Sequence, residues 1–308
     1  MICLGELITE CMLTAENLVK EYKDLRAVDN VSFNVLPGRI FGLLGPNGAG
    51  KTTTIRAILN IIRPTSGRVL FDGEPINENF FNIIGYLPEE RGLYKKSKVI
   101  DVILYFAELK NMQKKDALHE AGKWLKKLEL KDYRHKKIEE LSKGNQQKVQ
   151  FITSIIHNPK LLVFDEPFSG FDPINQQIIR EIITSFAADG KTIILCTHQM
   201  DTAEKLCADI FLINKGKEVC SGSLSSIKKM SGTNTVKIMF EGDGSFISSL
   251  PYVSKTEKTN SHLEVTLHEG MLPKDFLKEI MPLISITHFS VVEPTLDKIF
   301  IDSIRGNQ

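Results

Sequence analysis

The sequence lacks an excess of charge of either sign. Its 308 residues include 39 Lys and Arg against 38 Asp and Glu, which gives a formal net charge of +1. A chain so balanced has no general electrostatic attraction to nucleic acid, and we expect no direct nucleic-acid partner. The sequence also lacks apolar runs of the roughly 18 to 20 residues that a membrane-spanning helix needs. The most apolar stretches, Ile40–Leu44 and Leu161–Phe164, are short and predict buried strands.

Cysteine is scarce and follows no metal-binding or disulfide pattern. The five cysteines are Cys3, Cys11, Cys196, Cys207 and Cys220. An odd, widely spaced set is typical of reduced thiols in a cytosolic protein. The first residues, 1–12, carry Glu6 and Glu10 and no basic stretch, which argues against a secretory signal. We expect residues 1–12 to be a disordered extension.

A glycine-rich segment between a predicted strand and a predicted helix fits the phosphate-binding P-loop. It reads Gly45, Pro46, Asn47, Gly48, Ala49, Gly50, Lys51, Thr52, and Thr53 follows. Glycines let backbone N–H groups converge on a triphosphate, and the following helix points its positive end at the same place. Lys51 is expected to reach the β- and γ-phosphates and the Thr52 hydroxyl to bind Mg²⁺. These residues predict an ATP site.

Two acidic residues, Asp165 and Glu166, stand at the end of a second predicted apolar strand. Such a pair can simply mark a solvated strand end. Beside a P-loop, Asp165 is expected to hold Mg²⁺, and Glu166 to polarise the water that attacks the γ-phosphate.

The segment from Leu141 to Gln147, which reads Leu-Ser-Lys-Gly-Asn-Gln-Gln, resembles the signature of the ATP-binding subunits of ABC transporters. The family usually has Gly and Gln where Lys143 and Asn145 stand, so the match is partial. The resemblance implies that Ser142 and Gly144 face a γ-phosphate held by another subunit. It therefore implies a homodimer or a paralogous heterodimer closed by ATP.

Four further positions resemble motifs of the same family. Asp172, in Ser169–Asp172, resembles the D-loop that crosses the dimer interface, and it can also cap a helix that starts at Pro173. His198 resembles the switch histidine that contacts the γ-phosphate. Tyr22 resembles the aromatic residue that stacks on adenine, although simple packing is an alternative. Glu89 stands where the family's Q-loop has glutamine, and a carboxylate is also acceptable to Mg²⁺.

Strands that alternate with helices predict an α/β fold with a mainly parallel sheet. We expect an ABC-type P-loop ATPase domain over residues 13–221, with an inserted helical subdomain near 95–157. Its many lysines predict a solvated face or, alternatively, attraction to anionic lipid. Residues 222–235 are predicted to be a linker. Residues 236–308 predict a small α+β domain with ferredoxin-like order, which resembles the C-terminal extension of bacterial sodium-efflux and drug-efflux ATPases.

The resemblance implies a Mg²⁺-dependent ATPase that energises export through a separate membrane-spanning permease. Such a protein would lie at the cytoplasmic face of the membrane as a peripheral subunit. A soluble ABC ATPase acting on ribosomes or nucleic acid is the alternative. The single P-loop, and the absence of a long coiled coil between Thr52 and Leu141, argue against that alternative. A non-hydrolysing regulatory subunit is a third possibility.

Overall fold

The computed structural model describes residues 12–90, 92–231, 235–259, 262–268 and 270–306. Nearly all of the extension expected at residues 1–12 lies outside these residues. The chain divides into two compact units, Met1–Gly222 and Ser223–Gln308. In the described part of the chain, no helix combines the length and the apolar composition that crossing a membrane requires.

The first unit contains ten strands and seven α-helices within its described residues. The strands are β1 (Leu13–Tyr22), β2 (Leu25–Val35), β3 (Ile40–Leu44), β4 (Ser66–Phe71), β5 (Glu74–Pro75), β6 (Ile84–Leu87), β7 (Leu161–Asp165), β8 (Thr192–Thr197), β9 (Asp209–Asn214) and β10 (Lys217–Ser223). The helices are α1 (Lys51–Ile58), α2 (Glu78–Ile83), α3 (Val99–Glu108), α4 (Lys114–Lys127), α5 (Lys143–Ile155), α6 (Pro173–Ala188) and α7 (Met200–Leu206).

A six-stranded sheet in the order β10-β9-β3-β8-β7-β6 forms the centre of this unit. The four pairs from β9 to β6 are parallel. Every residue of β3, β7 and β8 is buried, as expected of parallel strands covered on both faces. The segments that follow these three strands therefore emerge at one edge of the sheet, where open α/β sheets bind their ligands.

A second, antiparallel sheet has the order β2-β1-β4-β5. Aromatic packing joins it to the central sheet, because the ring of Phe33 on β2 lies 5.2 Å from that of Phe41 and 5.1 Å from that of Phe211. The apolar alternation along β1 and β2 supplies the inner face of this core.

The helical segment predicted near 95–157 contains α3, α4 and α5. Each has a buried apolar stripe at helical spacing, for example Ala117, Ala121 and Leu125 on α4. The lysines of α4 are exposed. Helix α1 ends at Ile58, because the chain leaves the helix at Leu59 and Asn60 takes a positive φ of 52°.

The second unit has strands β11 (Thr235–Glu241), β12 (Val253–Lys258), β13 (Leu263–Leu267) and β14 (Ser285–Val292), and helices α8 (Leu224–Met230), α9 (Pro273–Ile280) and α10 (Leu296–Gly306). Its antiparallel sheet has the order β12-β13-β11-β14, which is the predicted ferredoxin-like order. A short 3₁₀ helix stands where that order has its first helix. The core includes Val236, Ile238 and Phe276.

The segment 222–235, expected to be a linker, contains a helix. Helix α8 occupies most of its described residues, and the Ser223 hydroxyl caps α8 by accepting the N–H of Ser226. Ile227 is buried. The serine content that suggested a linker therefore supplies a helix cap.

Candidate functional site

The glycine-rich loop lies between β3 and α1, and its backbone requires glycine at two positions. Gly45 has a φ of 154°, and a Cβ there would lie 2.1 Å from the Ile213 carbonyl oxygen. Gly50 has a φ of 107°, and a Cβ there would lie 2.5 Å from the Ala27 carbonyl oxygen. The loop thus packs against two neighbouring segments too closely for any side chain.

Lys51, the first residue of α1, is buried, and its ammonium group turns back onto the loop. Nζ donates to the carbonyl oxygens of Gly45 at 2.8 Å and Pro46 at 3.1 Å. These bonds hold the positive charge inside the concave side of the loop, where an anion can compete for it.

Asp165 ends β7 opposite Cys196 on β8. Both carboxylate oxygens are buried and accept no well-formed hydrogen bond from the described residues. Burial raises the pKa of Asp165, while the nearby Cys196 thiol, Thr52 hydroxyl and Lys51 ammonium oppose the rise. A buried carboxylate without partners beside a threonine hydroxyl suits a hard cation.

Glu166 is held in a left-handed backbone conformation, with a φ of 49°. Its side chain is buried and accepts three hydrogen bonds from Thr197, the last residue of β8, and His198, which follows it. Oε1 lies 2.9 Å from the His198 backbone nitrogen and 2.6 Å from His198 Nδ1, and Oε2 lies 3.0 Å from Thr197 Oγ1. The carboxylate is therefore fixed by the next strand of the sheet.

A single cleft of about 750 Å³ collects most of these groups. It is lined by Leu25, Arg26, Ala27, Asn47, Gly48, Gly50, Lys51, Thr52, Thr53, Glu89, Asp165, Glu166, Lys215 and Gly216. Glu89 reaches the cleft from the loop after β6 and is exposed. The eight other positions expected to bind nucleotide or act in catalysis are not among the lining residues: Tyr22, Gly45, Pro46, Ala49, Ser142, Gly144, Asp172 and His198.

Five lining residues are not marked by the sequence motifs, and they come from the start of a strand and from a turn. Leu25, Arg26 and Ala27 begin β2, and Lys215 and Gly216 join β9 to β10. Backbone bonds tie the turn to the site, from Gly216 N to Ala49 O and from Asp29 N to Gly216 O, both 2.8 Å. The Lys-Gly turn signal was visible in the sequence, but its approach to the loop depends on tertiary structure.

Tyr22 ends β1 and is paired with Leu25 across the hairpin. Its side chain is 45% exposed, and the Lys20 ammonium lies 4.9 Å from its ring centre. The ring is thus available for stacking, although Leu25 is the residue of this hairpin pair that lines the cleft.

The signature and D-loop residues lie together away from the cleft lining. Ser142 caps α5 by accepting the Asn145 N–H at 3.2 Å. A Cβ on Gly144 would lie 3.9 Å from the Gly170 carbonyl oxygen. Asp172 caps α6, as predicted, by accepting from Asn175 N at 2.9 Å, and these bonds lower the pKa of Asp172. The N-terminus of α5 and the D-loop therefore share one surface.

The comparison with protein families gives two matches. The ABC transporter family matches residues 28–169, and the C-terminal domain of DrrA1-3-like ATP-binding proteins matches residues 222–304. The first range contains the glycine-rich loop, the signature segment and the two acids.

Individual relatives agree with these matches. The uncharacterized ABC transporter ATP-binding protein YhaQ of Bacillus subtilis is 41% identical over 95% of this chain and 98% of its own length. The lipopolysaccharide export system ATP-binding protein LptB of Haemophilus influenzae is 32% identical over 69% of this chain and 90% of its own. A solved ATP-binding subunit of an ABC transporter has a TM-score of 0.67 and 27% identity, covering 72% of this chain and 93% of that chain. The chain therefore belongs to the ATP-binding proteins of the ABC transporter family.

Proposed function

We propose that this protein is a Mg²⁺-dependent ATPase that closes as a nucleotide-bound dimer and energises export through separate membrane-spanning subunits. The observation that carries the proposal is the shared cleft. Lys51, Thr52, Asp165 and Glu166 come from two segments of the chain that follow parallel strands and line one cavity. A cation, a hydroxyl and two carboxylates at the mouth of a glycine loop suit phosphoryl transfer to water.

The residues present fit Mg²⁺. The hydroxyl of Thr52 and the unpartnered oxygens of Asp165 would hold it, with Glu89 as a further oxygen ligand at the edge of the cleft. Bound there, Mg²⁺ supplies charge neutralisation at the β- and γ-phosphates. Lys51 would exchange its two loop carbonyls for phosphate oxygens, and Glu166 would orient the attacking water.

The position of the signature residues outside the cleft supports the proposed dimer. Ser142 and Gly144 head a 13-residue helix whose first N–H groups have no intrahelical partners, and they are not among the residues that line the cleft of the same chain. If this helix end contacts a γ-phosphate, as the family resemblance implies, a second subunit would hold that phosphate. A homodimer and a paralogous heterodimer both satisfy this requirement.

A separate groove offers a surface for the permease. Its volume is about 410 Å³, and its lining includes Ile61, Phe81, Phe106, Gln150 and His157. Gln150 Oε1 and His157 Nδ1 are buried without a hydrogen-bond partner among the described residues. We infer that a cytoplasmic segment of the permease occupies this groove, because apolar side chains would fill it and N–H or O–H donors would satisfy the two atoms. The protein would then be peripheral, at the cytoplasmic face of the membrane.

Export is favoured over import by two similarities. LptB of Haemophilus influenzae, reported above, is named as part of an export system. The match over residues 222–304 is to the C-terminal domain of DrrA1-3-like proteins, which fits the expected resemblance to efflux ATPases. Action on ribosomes or nucleic acid gains no support from these relatives.

The decisive experiment is Glu166→Gln. This change keeps the size and the acceptor carbonyl of the side chain but removes the carboxylate charge. We expect the variant to bind Mg²⁺-ATP, to lose turnover by about a hundredfold or more, and to accumulate as a dimer in sizing experiments with ATP. Hydrolysis at the wild-type rate would contradict the role given to Glu166.

A further inference from the structure

Gln150 joins the signature helix to the loop that carries Glu89. It lies on the buried face of α5 and is only 4% exposed. Its Nε2 atom donates to the carbonyl oxygens of Pro88 at 3.2 Å and Glu90 at 2.9 Å. One side-chain amide thus holds the backbone on both sides of Glu89.

The amide can hold the loop in only one orientation. Nε2 is a double donor and both loop atoms are acceptors, so a flipped amide would set its oxygen against two carbonyl oxygens. In the orientation seen, Oε1 is buried without a partner among the described residues. The two bonds to the loop therefore outweigh the unsatisfied oxygen, which marks them as the reason for glutamine at this position.

The loop around Glu89 is not held by a helix or a strand. It follows the short strand β6 and has no regular secondary structure at residues 88–90, and Glu89 and Glu90 are exposed. Glu89 nevertheless lines the ATP cleft together with Lys51, Asp165 and Glu166. A displacement of about 1 Å at such a group can cost a hundredfold in rate.

We propose that Gln150 is a positioning residue that sets the place of Glu89 in the cleft from the body of α5. Since Ser142 caps the same helix, α5 carries both the signature residues and the side chain that positions the loop around Glu89. This inference rests on the proposed ATPase function and adds to it a residue that touches neither nucleotide nor metal.

The test is a double-mutant cycle between Gln150→Met and Glu89→Ala. Methionine keeps the length of the side chain and removes both donors. We expect Gln150→Met to lower kcat about tenfold, with the KM for ATP changed by less than about twofold. In the Glu89→Ala background the same substitution should change kcat by less than about twofold, because its effect acts through Glu89. Single turnovers with protein in excess keep slow rates measurable.

Thr153→Val is the matched control. Thr153 is also buried on α5 and is not among the residues that line the ATP cleft, and its hydroxyl donates to the Gln150 carbonyl within the helix. We expect its kcat and Tm to stay near the wild type. Gln150→Ala replaces Gln150→Met if the latter fails to fold, since it removes the same bonds without a bulky group.

A second measurement reads the loop directly. Hydrogen exchange of the backbone amides near Glu89 should accelerate in Gln150→Met and not in Thr153→Val. The positioning role would be overturned if Gln150→Met lowered kcat equally in the wild-type and Glu89→Ala backgrounds. It would also be overturned if Thr153→Val lowered kcat as much as Gln150→Met does. Neither result touches the proposed ATPase function, which fails only if the wild-type protein does not hydrolyse ATP or Glu166→Gln still does.

Discussion

The Nδ1 atom of His198 lies 2.6 Å from Oε1 of Glu166, and the backbone N–H of His198 donates to the same oxygen. His198, the first residue after β8, thus orients the carboxylate of Glu166, the first residue after β7. The backbone bond persists in any variant at position 198, whereas the ring bond depends on histidine. The ring, which is 46% exposed, is positioned to orient the carboxylate.

The first prediction concerns this ring. His198→Ala should lower kcat by about a hundredfold while ATP affinity changes by less than about threefold, because the carboxylate loses its orienting partner. Steady-state hydrolysis and equilibrium binding of ATP measure the two quantities. Thr197→Val removes the 3.0 Å bond to Oε2 and the 3.1 Å bond that the same hydroxyl accepts from the Gln199 N–H, but it leaves the ring of His198 in place and should lose less. Unchanged turnover in His198→Ala would refute the assignment.

The second prediction concerns the P-loop lysine. Lys51→Ala should weaken ATP binding by at least about tenfold, because a buried ammonium that can move from loop carbonyls to phosphate is lost. Isothermal titration with Mg²⁺-ATP measures the affinity. Lys217→Ala removes an exposed lysine of the same unit and should bind ATP as the wild type does. Tight binding by Lys51→Ala would contradict the phosphate site.

The sequence predicted much of this fold because its apolar runs and turn signals coincide with the elements. The apolar runs Ile40–Leu44 and Leu161–Phe164, predicted to be buried strands, are β3 and most of β7, and the strand order of the second unit is the predicted one. Strands β4 and β6 were missed. β4 is half-exposed and lacks a continuous apolar run, and β6 has only four residues.

The sequence likewise predicts some residues of the candidate site and misses others. Residues that are contiguous in the chain, such as the P-loop and the two acids, are visible as motifs because local backbone geometry demands them. The contribution of Arg26 and Lys215 to the cleft depends on how two distant segments approach the loop, and no spacing encodes that approach. The hydrogen bonds from Gln150 to the loop around Glu89 also depend on tertiary structure. The roles of the site residues remain predictions for the experiments above.

A third prediction concerns His157, whose Nε2 lies 2.9 Å from the Ile84 carbonyl oxygen. Burial lowers the pKa of His157 to about 4, and nearby Lys110 and Lys191 act in the same direction. The unfolded chain therefore takes up this proton near pH 6.5 and the folded chain only near pH 4. The stability that the neutral ring contributes is complete above pH 6.5 and declines as the pH falls to 4.

His157→Gln should remove this decline, since glutamine keeps a donor for Ile84 but does not titrate. The difference from wild type should amount to about 2 kcal/mol in the free energy of unfolding between pH 6.5 and 4, after allowance for partial exposure. Urea unfolding at a series of pH values measures it. His119→Gln, at an exposed histidine, should follow the wild-type curve. A wild-type slope in His157→Gln would show that other groups cause the decline.

The last prediction concerns the groove proposed for the permease. Ile61 is 56% exposed and lines it beside Phe81 and Phe106. Ile61→Glu places a charge on this apolar surface without touching the ATP cleft. The isolated subunit should therefore keep its basal ATPase rate within about twofold. The variant should lose its membrane partner, because burying an unpaired carboxylate opposes docking. Co-purification of polytopic membrane proteins with the subunit, from membranes of the native host, measures the loss. Leu272→Glu alters a leucine of similar exposure, 51%, in the second unit and should leave the complex intact. If Ile61→Glu co-purified as well as the wild type, the permease would have to bind elsewhere, and the buried acceptor atoms of Gln150 and His157 would need another donor.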